Sequence, residues 1–242
     1  MQLEKYYSLE NSKLSFTQQQ GSDFAKSVAG DFNILHDVGS KRFCVPGDLL
    51  FSVIVQHYGL RQVMDFSFSG MVSDEVVLEL PEVEAREISI YDQNNKKYLD
   101  VSTNGDVSHD QTLIDSLIKN YAEFSGHTFP HVLVPLMEQN NVMVNPERPL
   151  VIYDQMRISL DTLAIDSVEL FLTEPEFRRY GKRGDVTLNF NLHCNGEHVG
   201  KGQKKMLLGG LREYDQEKID ALVAAADAAK KTLYKTINPE TA

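Results

Sequence analysis

Ala29-Gly30-Asp31-Phe32-Asn33-Ile34-Leu35-His36-Asp37 and, shortly after it, Pro46-Gly47-Asp48-Leu49-Leu50-Phe51-Ser52-Val53-Ile54-Val55 decide how this chain is read. The first stretch is turn-prone through Gly30-Asp31 and Asn33. The second opens a helix that runs to about Tyr58. Pro and Gly stand before an acidic first turn, and Gly59 supplies a stop. Leu49, Leu50, Phe51, Val53, Ile54 and Val55 leave almost no polar face, so sheet should wrap this helix on most sides.

Working outward, residues 15–28 predict an entry strand around Leu14 and Phe16 and a short helix over 23–28. Beyond the central helix, 66–70 and 75–80 read as strands. A hairpin follows, from 87–91 through the turn Gln93-Asn94-Asn95-Lys96 into 98–101. The second half repeats this order more loosely. Residues 111–124 carry Leu113, Leu117, Ile118 and Tyr121 at helical spacing and read as a connecting helix. Residues 129–137 form another compact apolar segment, and strands follow at 150–153 and 168–172. The clearest alternation sets Val186, Leu188, Phe190, Leu192 and Cys194 against polar neighbours, and Asn195-Gly196 turns it back toward 206–208. Residues 215–234 make an Ala-rich amphipathic helix with Ile219, Leu222, Val223 and Ala226 on one face. The order predicts an α+β chain of two similar units, 1–122 and 123–242, dominated by antiparallel sheet.

A 242-residue chain with 42% hydrophobic and 24% charged residues can bury a sizeable core. No apolar run follows a basic N-terminal segment and no stretch is long enough to span a bilayer, so the expected location is cytoplasmic, without membrane. The net charge of −11 argues against a nucleic-acid partner. One window, 176–212, runs the other way, with Arg178, Arg179, Lys182, Arg183, Lys201, Lys204, Lys205 and Arg212. It reads first as a solvated hairpin face and second as a landing site for an anionic group. Cys44 and Cys194 lack metal-ligand spacing, and the scattered His127, His131, His193 and His198 give no metal site. Cys44 reads as a small buried hydrophobe and His57 as a satisfied core histidine.

An Asp and a His five positions apart mean little alone. Placed before a helix N-terminus, with its unpaired N–H groups and partial positive charge, they supply a carboxylate, an imidazole and an oxyanion donor. The stretch 29–37 resembles the motif of MaoC-like (R)-specific enoyl-CoA hydratases, Ser/Ala-Gly-Asp-x-Asn-Pro-x-His-x-Asp. The whole N-terminal half also resembles a small proteobacterial family of unknown function within the hotdog superfamily. This resemblance implies a double hotdog, two antiparallel sheets each wrapping a central helix, to which the residue pattern adds the C-terminal amphipathic helix. It implies a hydratase or dehydratase (a lyase) of fatty acid metabolism that adds water to trans-2-enoyl thioesters or removes it. Asp31 and His36 would be the catalytic dyad and Gly47 the oxyanion donor, with Asn33 beside the substrate or bracing the loop. No cofactor is implied, only an acyl-CoA or acyl-carrier protein thioester, and the chain would be a monomer with an internal double hotdog or a homodimer.

Three departures bear on activity. Ile34 stands where the motif has proline, Asp37 follows His36 directly, and Asp48 puts a carboxylate in the first turn beside Gly47. Capping the helix is the ordinary role for Asp48. The alternative is a non-catalytic protein that holds an acyl thioester or its carrier; a weaker third option is thioester hydrolysis by Asp31 or Asp48. The second half has Gly126-His127-Thr128-Phe129 in the comparable place, so it is expected to be structural and to shape the acyl tunnel.

Overall fold

A computed structural model describes residues 1–82 and 85–237 (side chains through 233). A 3-10 turn, Leu3–Tyr6, precedes strands β1 (Ser8–Glu10) and β2 (Lys13–Ser15). Helix α1 (Gln18–Phe24) starts at Thr17 with a reciprocal capping box to Gln20 and passes directly into a π-turn, Ala25–Ala29. The entry strand therefore ends before Phe16, and the helix begins earlier than 23. Thr17 fixes that start.

Helix α2 spans Gly47–Tyr58. Leu49, Leu50, Phe51, Val53, Ile54 and Val55 are all buried, each contributing about 1.5–3 kcal/mol by burial. Gly59 ends the helix at φ 83, a conformation that suits glycine, and its N–H reaches Val55 O at 2.9 Å. Strands β3 (Leu60–Phe68), β4 (Leu78–Glu79), β5 (Glu87–Asp92) and β6 (Lys97–Ser108) follow. Next come α3 (Gln111–Gly126), a kinked turn α4 (Thr128–His131), α5 (Leu133–Gln139) and β7 (Val142–Met143). The chain continues with β8 (Val151–Leu160), β9 (Glu169–Leu172), β10 (Glu176–Tyr180), β11 (Arg183–Cys194), β12 (Glu197–Gly209), β13 (Arg212–Glu213) and α6 (Gln216–Ile237).

Eleven strands make one antiparallel sheet in the order β1-β2-β4-β5-β6-β3-β8-β12-β11-β10, with β9 also on β11. Strands before residue 110 fill one side and strands after 150 the other. The halves meet where β3 pairs with β8, from Val63↔Ser159 to Ser67↔Gln155. Asn195 and Gly196, both at positive φ, make the β11–β12 turn, as their sequence predicts. The fold is α+β, with one continuous antiparallel sheet where two were expected, buried helices α2 and α3 against it, and a C-terminal helix.

Three readings need correction. Helix α3 is no connector: Leu113, Ile114, Leu117, Ile118, Tyr121 and Ala122 are buried. Its Tyr121 ring lies 4.9 Å from Phe51 of α2 and 6.0 Å from Phe190 of β11, so it ties both halves into one core. The position between residues 122 and 123 falls inside this helix. His57 is exposed in the last turn of α2, edge-on to the Tyr58 ring, so it is not a core histidine. The apolar segment 129–137 becomes α4 and α5, and Leu133, Leu136 and Met137 build a second core with Val186, Leu188, Met206 and Ile219.

Candidate functional site

The loop after the π-turn is held by its own backbone. Gly30 adopts φ 67, and Asp31 N donates to Ala25 O at 2.8 Å. Asn33 N donates to Asp31 Oδ1 at 2.9 Å, and Asn33 Oδ1 accepts from Leu35 N at 3.1 Å. Asn33 thus caps the one-turn 3-10 helix Ile34–His36, so its side-chain oxygen is already engaged. Cys44 N donates to Leu35 O at 2.8 Å, which folds the segment before α2 back onto the loop.

This brings Asp31 and His36 face to face. His36 Nε2 lies 3.6 Å from Asp31 Oδ2. Its Nδ1 lies 2.6 Å from the Cys44 carbonyl oxygen, which can only accept, so Nδ1 carries a hydrogen. In the neutral ring, Nε2 is then an acceptor facing a second acceptor. A pair of acceptors at this separation needs a shared donor: a proton on Nε2, or the O–H groups of a water.

Both residues line a cavity of about 1260 Å³, ample for an acyl thioester. Gly47 lines it too, at the first turn of α2, whose amides lack intrahelical acceptors. A Cβ on Gly47 would meet Tyr153 Cδ1 at 2.3 Å, so only glycine lets the Tyr153 ring pack over this turn. Apolar wall comes from Leu50, Phe68, Leu133, Val151 and Met206, and α6 adds Leu222, Ala226 and Leu233.

Asp48 does not cap α2. Its carboxylate turns inward, where Oδ2 accepts from Ser125 Oγ at 2.5 Å and Oδ1 lies 3.5 Å from Lys204 Nζ. Lys204 Nζ also donates to Ser125 Oγ and sits 4.2 Å from the Tyr153 ring centre. At 3.5 Å the Lys204–Oδ1 contact is an ion pair without a hydrogen bond, so Oδ1 has no hydrogen-bond partner among the described residues. Tyr121 and Tyr153 share a hydroxyl–hydroxyl bond. Burial, reinforced by the neighbouring Asp48 charge, pushes both phenols well above their ordinary range and keeps them neutral. Cys44 is no ready nucleophile: burial raises its thiol to about 12.

The second half is therefore more than scaffold. Ser125, Thr128, Tyr153 and Lys204 all line the cavity that holds Asp31 and His36. Sequence reading missed them, and it placed Lys204 on the basic surface. Arg178, Arg179, Lys182, Arg183 and Arg212 are indeed exposed, with Arg178 and Arg183 paired to Glu176 and Asp185. Lys204 differs because it shares the inward phase of β12 with Met206 and Leu208. Among the described residues no group of His, Cys, Asp and Glu could hold a metal ion, and no helix is long and apolar enough to cross a membrane.

Residues 1–217 match the family model described as "Protein of unknown function (DUF3581)". The chain belongs to DUF3581. No curated protein matches it. Among solved structures, this DUF3581 chain is similar to a conserved hypothetical protein of Mycobacterium tuberculosis described as having a double hotdog fold. Identity is 9%, over 84% of this chain and 95% of that one, with a TM-score of 0.48. It is also similar to an acyl-CoA thioesterase II of Mycobacterium marinum, at 10% identity over 89% and 98% of the two chains and a TM-score of 0.41. A MaoC-like dehydratase matches at 9% identity over 84% and 98%, with a TM-score of 0.39.

Proposed function

We propose that this chain processes acyl thioesters, adding water to trans-2-enoyl thioesters or removing it from 3-hydroxyacyl thioesters. The observation that carries the reading is the facing pair of acceptors, His36 Nε2 and Asp31 Oδ2, on the wall of a large, mostly apolar cavity. One water donating to both is oriented for attack. As its oxygen bonds to C3, a proton passes to the dyad and the double-bond electrons move onto the thioester oxygen. A first-turn amide of α2 at Gly47 stabilises that enolate. Return of the proton to C2 completes the addition with no net change at the protein. CoA or a carrier protein would present the thioester, as in fatty acid metabolism in the cytoplasm.

The test is hydration of crotonyl-CoA and longer enoyl-CoAs, followed by loss of the enoyl absorbance. Asp31→Asn and His36→Gln should each lower kcat/KM by about 10²-fold or more, the usual weight of positioned acid–base groups. Full activity in both variants would remove the dyad from the mechanism. A specific observation favours holding without turnover: the Asp48 charge lies one residue from Gly47, where an enolate would be repelled. Thioester binding without hydration at any chain length would establish that second reading.

A further inference from the structure

The charge beside Gly47 is not left bare. Asp48 follows Gly47 in the first turn of α2, so a carboxylate stands close to the amide that would meet an enolate. Its side chain turns inward, where Ser125 Oγ donates to Oδ2 at 2.5 Å and ties α2 to the end of α3. Lys204, from β12 in the other half of the chain, brings its ammonium to 3.5 Å from Oδ1. Asp48 and Lys204 are 6% and 5% exposed, so salt and solvent screen neither charge well. The ammonium also sits 4.2 Å from the centre of the Tyr153 ring, the ring that packs against Gly47. Gly47, Asp48, Tyr153 and Lys204 therefore form one contiguous group at the start of α2. Tyr121 and Tyr153 add no charge to it, since burial holds both phenols neutral.

Stability is a weak explanation for this pair. Burying two charges is repaid only by close, fully bonded geometry, and here Oδ1 has no hydrogen-bond partner among the described residues. The stronger effect is on the field. In a low-dielectric interior an uncompensated carboxylate would oppose negative charge at the neighbouring amides and offset the positive end of the helix. An ammonium at 3.5 Å makes the pair neutral overall and leaves the helix end electropositive.

Resting on the thioester reading of the cavity, we propose that Lys204 is a positioning residue for the enolate: it cancels the Asp48 charge so that the first turn of α2 can hold a negative oxygen. Asp48 can then join the two halves through Ser125 without closing the site to an anion. Lys204 acts through Asp48 and need not touch the ligand.

The experiment compares two ligands that differ in charge at that oxygen. Butyryl-CoA is neutral there, and its dissociation constant reports packing. Acetoacetyl-CoA ionises to an enolate with its own near-ultraviolet absorption, so the ratio of bound enolate to bound keto form at one fixed alkaline pH reports the field. Lys204→Met keeps the length of the side chain and removes its charge. It should lower the enolate ratio about tenfold or more, while butyryl-CoA binds within about threefold of wild type. The double variant Asp48→Asn/Lys204→Met is neutral and can keep the Ser125 bond, so it should return the ratio to the wild-type value. Asp48→Asn alone should keep or raise the ratio, a result that can be read even if Lys204→Met does not fold. An unchanged ratio in Lys204→Met, or a fall in Asp48→Asn, would overturn the proposal. So would a parallel loss of both ligands in Lys204→Met, which would reduce the lysine to packing, or a ratio that the double variant does not restore. No binding of either ligand to the folded wild type would reject the thioester reading itself and this inference with it. Enolate discrimination in a wild type that hydrates no enoyl-CoA would keep the role of Lys204 and support holding without turnover.

Discussion

Gly126 shows how a single side chain sets the site. It ends α3, and a Cβ there would sit 1.9 Å from Ala29 O, 2.6 Å from Ala29 C and 3.1 Å from Asp31 N. Those neighbours are backbone and cannot swing aside, so Gly126→Ala must push α3 and the Asp31 loop apart. Overpacking of this kind costs about 1–3 kcal/mol. The variant should therefore show a lower urea midpoint and at the same time lose thioester affinity, because the displaced backbone carries Asp31. A denaturation midpoint equal to wild type would show that the loop yields freely and that the contact does not position the carboxylate. The same helix end supplies Ser125, one position earlier, to Asp48. No single segment of the sequence marks this junction: Asp48, Ser125 and Lys204 stand 77 and 79 positions apart. Two clues are local. A carboxylate sits in a helix with no polar face, and a lysine sits at an inward position of an alternating strand.

Among elements, α2 was legible because its apolar residues surround the helix, and burial on every side is the only stable outcome. The same holds for β11, where a strict alternation of period two meets Asn195-Gly196. Strands β6 and β8 run well past the ends their apolar residues suggest, since ladder pairing with neighbours carries polar stretches such as 102–104 that no side-chain pattern announces. The π-turn Ala25–Ala29 is invisible for a similar reason: it packs against α3, a partner far away in the sequence. Helix α6 is amphipathic as its sequence reads, and its role comes from the structure. Ile219 anchors it in the second core, while Leu222, Ala226 and Leu233 line the cavity. Small residues there leave room for a ligand. Ala226→Trp should accordingly shorten the longest acyl-CoA accepted, weakening long chains about tenfold while short chains bind as before. Equal weakening at all lengths, measured by calorimetric titration, would mean that α6 does not bound the chain tunnel.

At the scale of the whole molecule, the two halves share one core. Phe51, Phe66 and Tyr121 from the first half share a core with Met156, Ile158 and Phe190 from the second, and the sheet is continuous through β3 and β8. Residues 1–122 alone would lose every contact from β8, β11 and β12 and would expose the β3 edge from Val63 to Ser67. An unpaired, largely apolar edge invites association. The fragment is therefore expected to precipitate or to remain without fixed near-ultraviolet dichroism, whereas the full chain should unfold in one calorimetric transition with equal van't Hoff and measured enthalpies. The site obeys the same logic, since Asp31, His36 and Asp48 come from the first half and Ser125, Tyr153 and Lys204 from beyond it. A ligand bound between them stabilises both halves together, so acyl-CoA should raise the single transition temperature without splitting it. Two resolved transitions, or a soluble, cooperatively folded 1–122 fragment, would show instead that each half folds on its own.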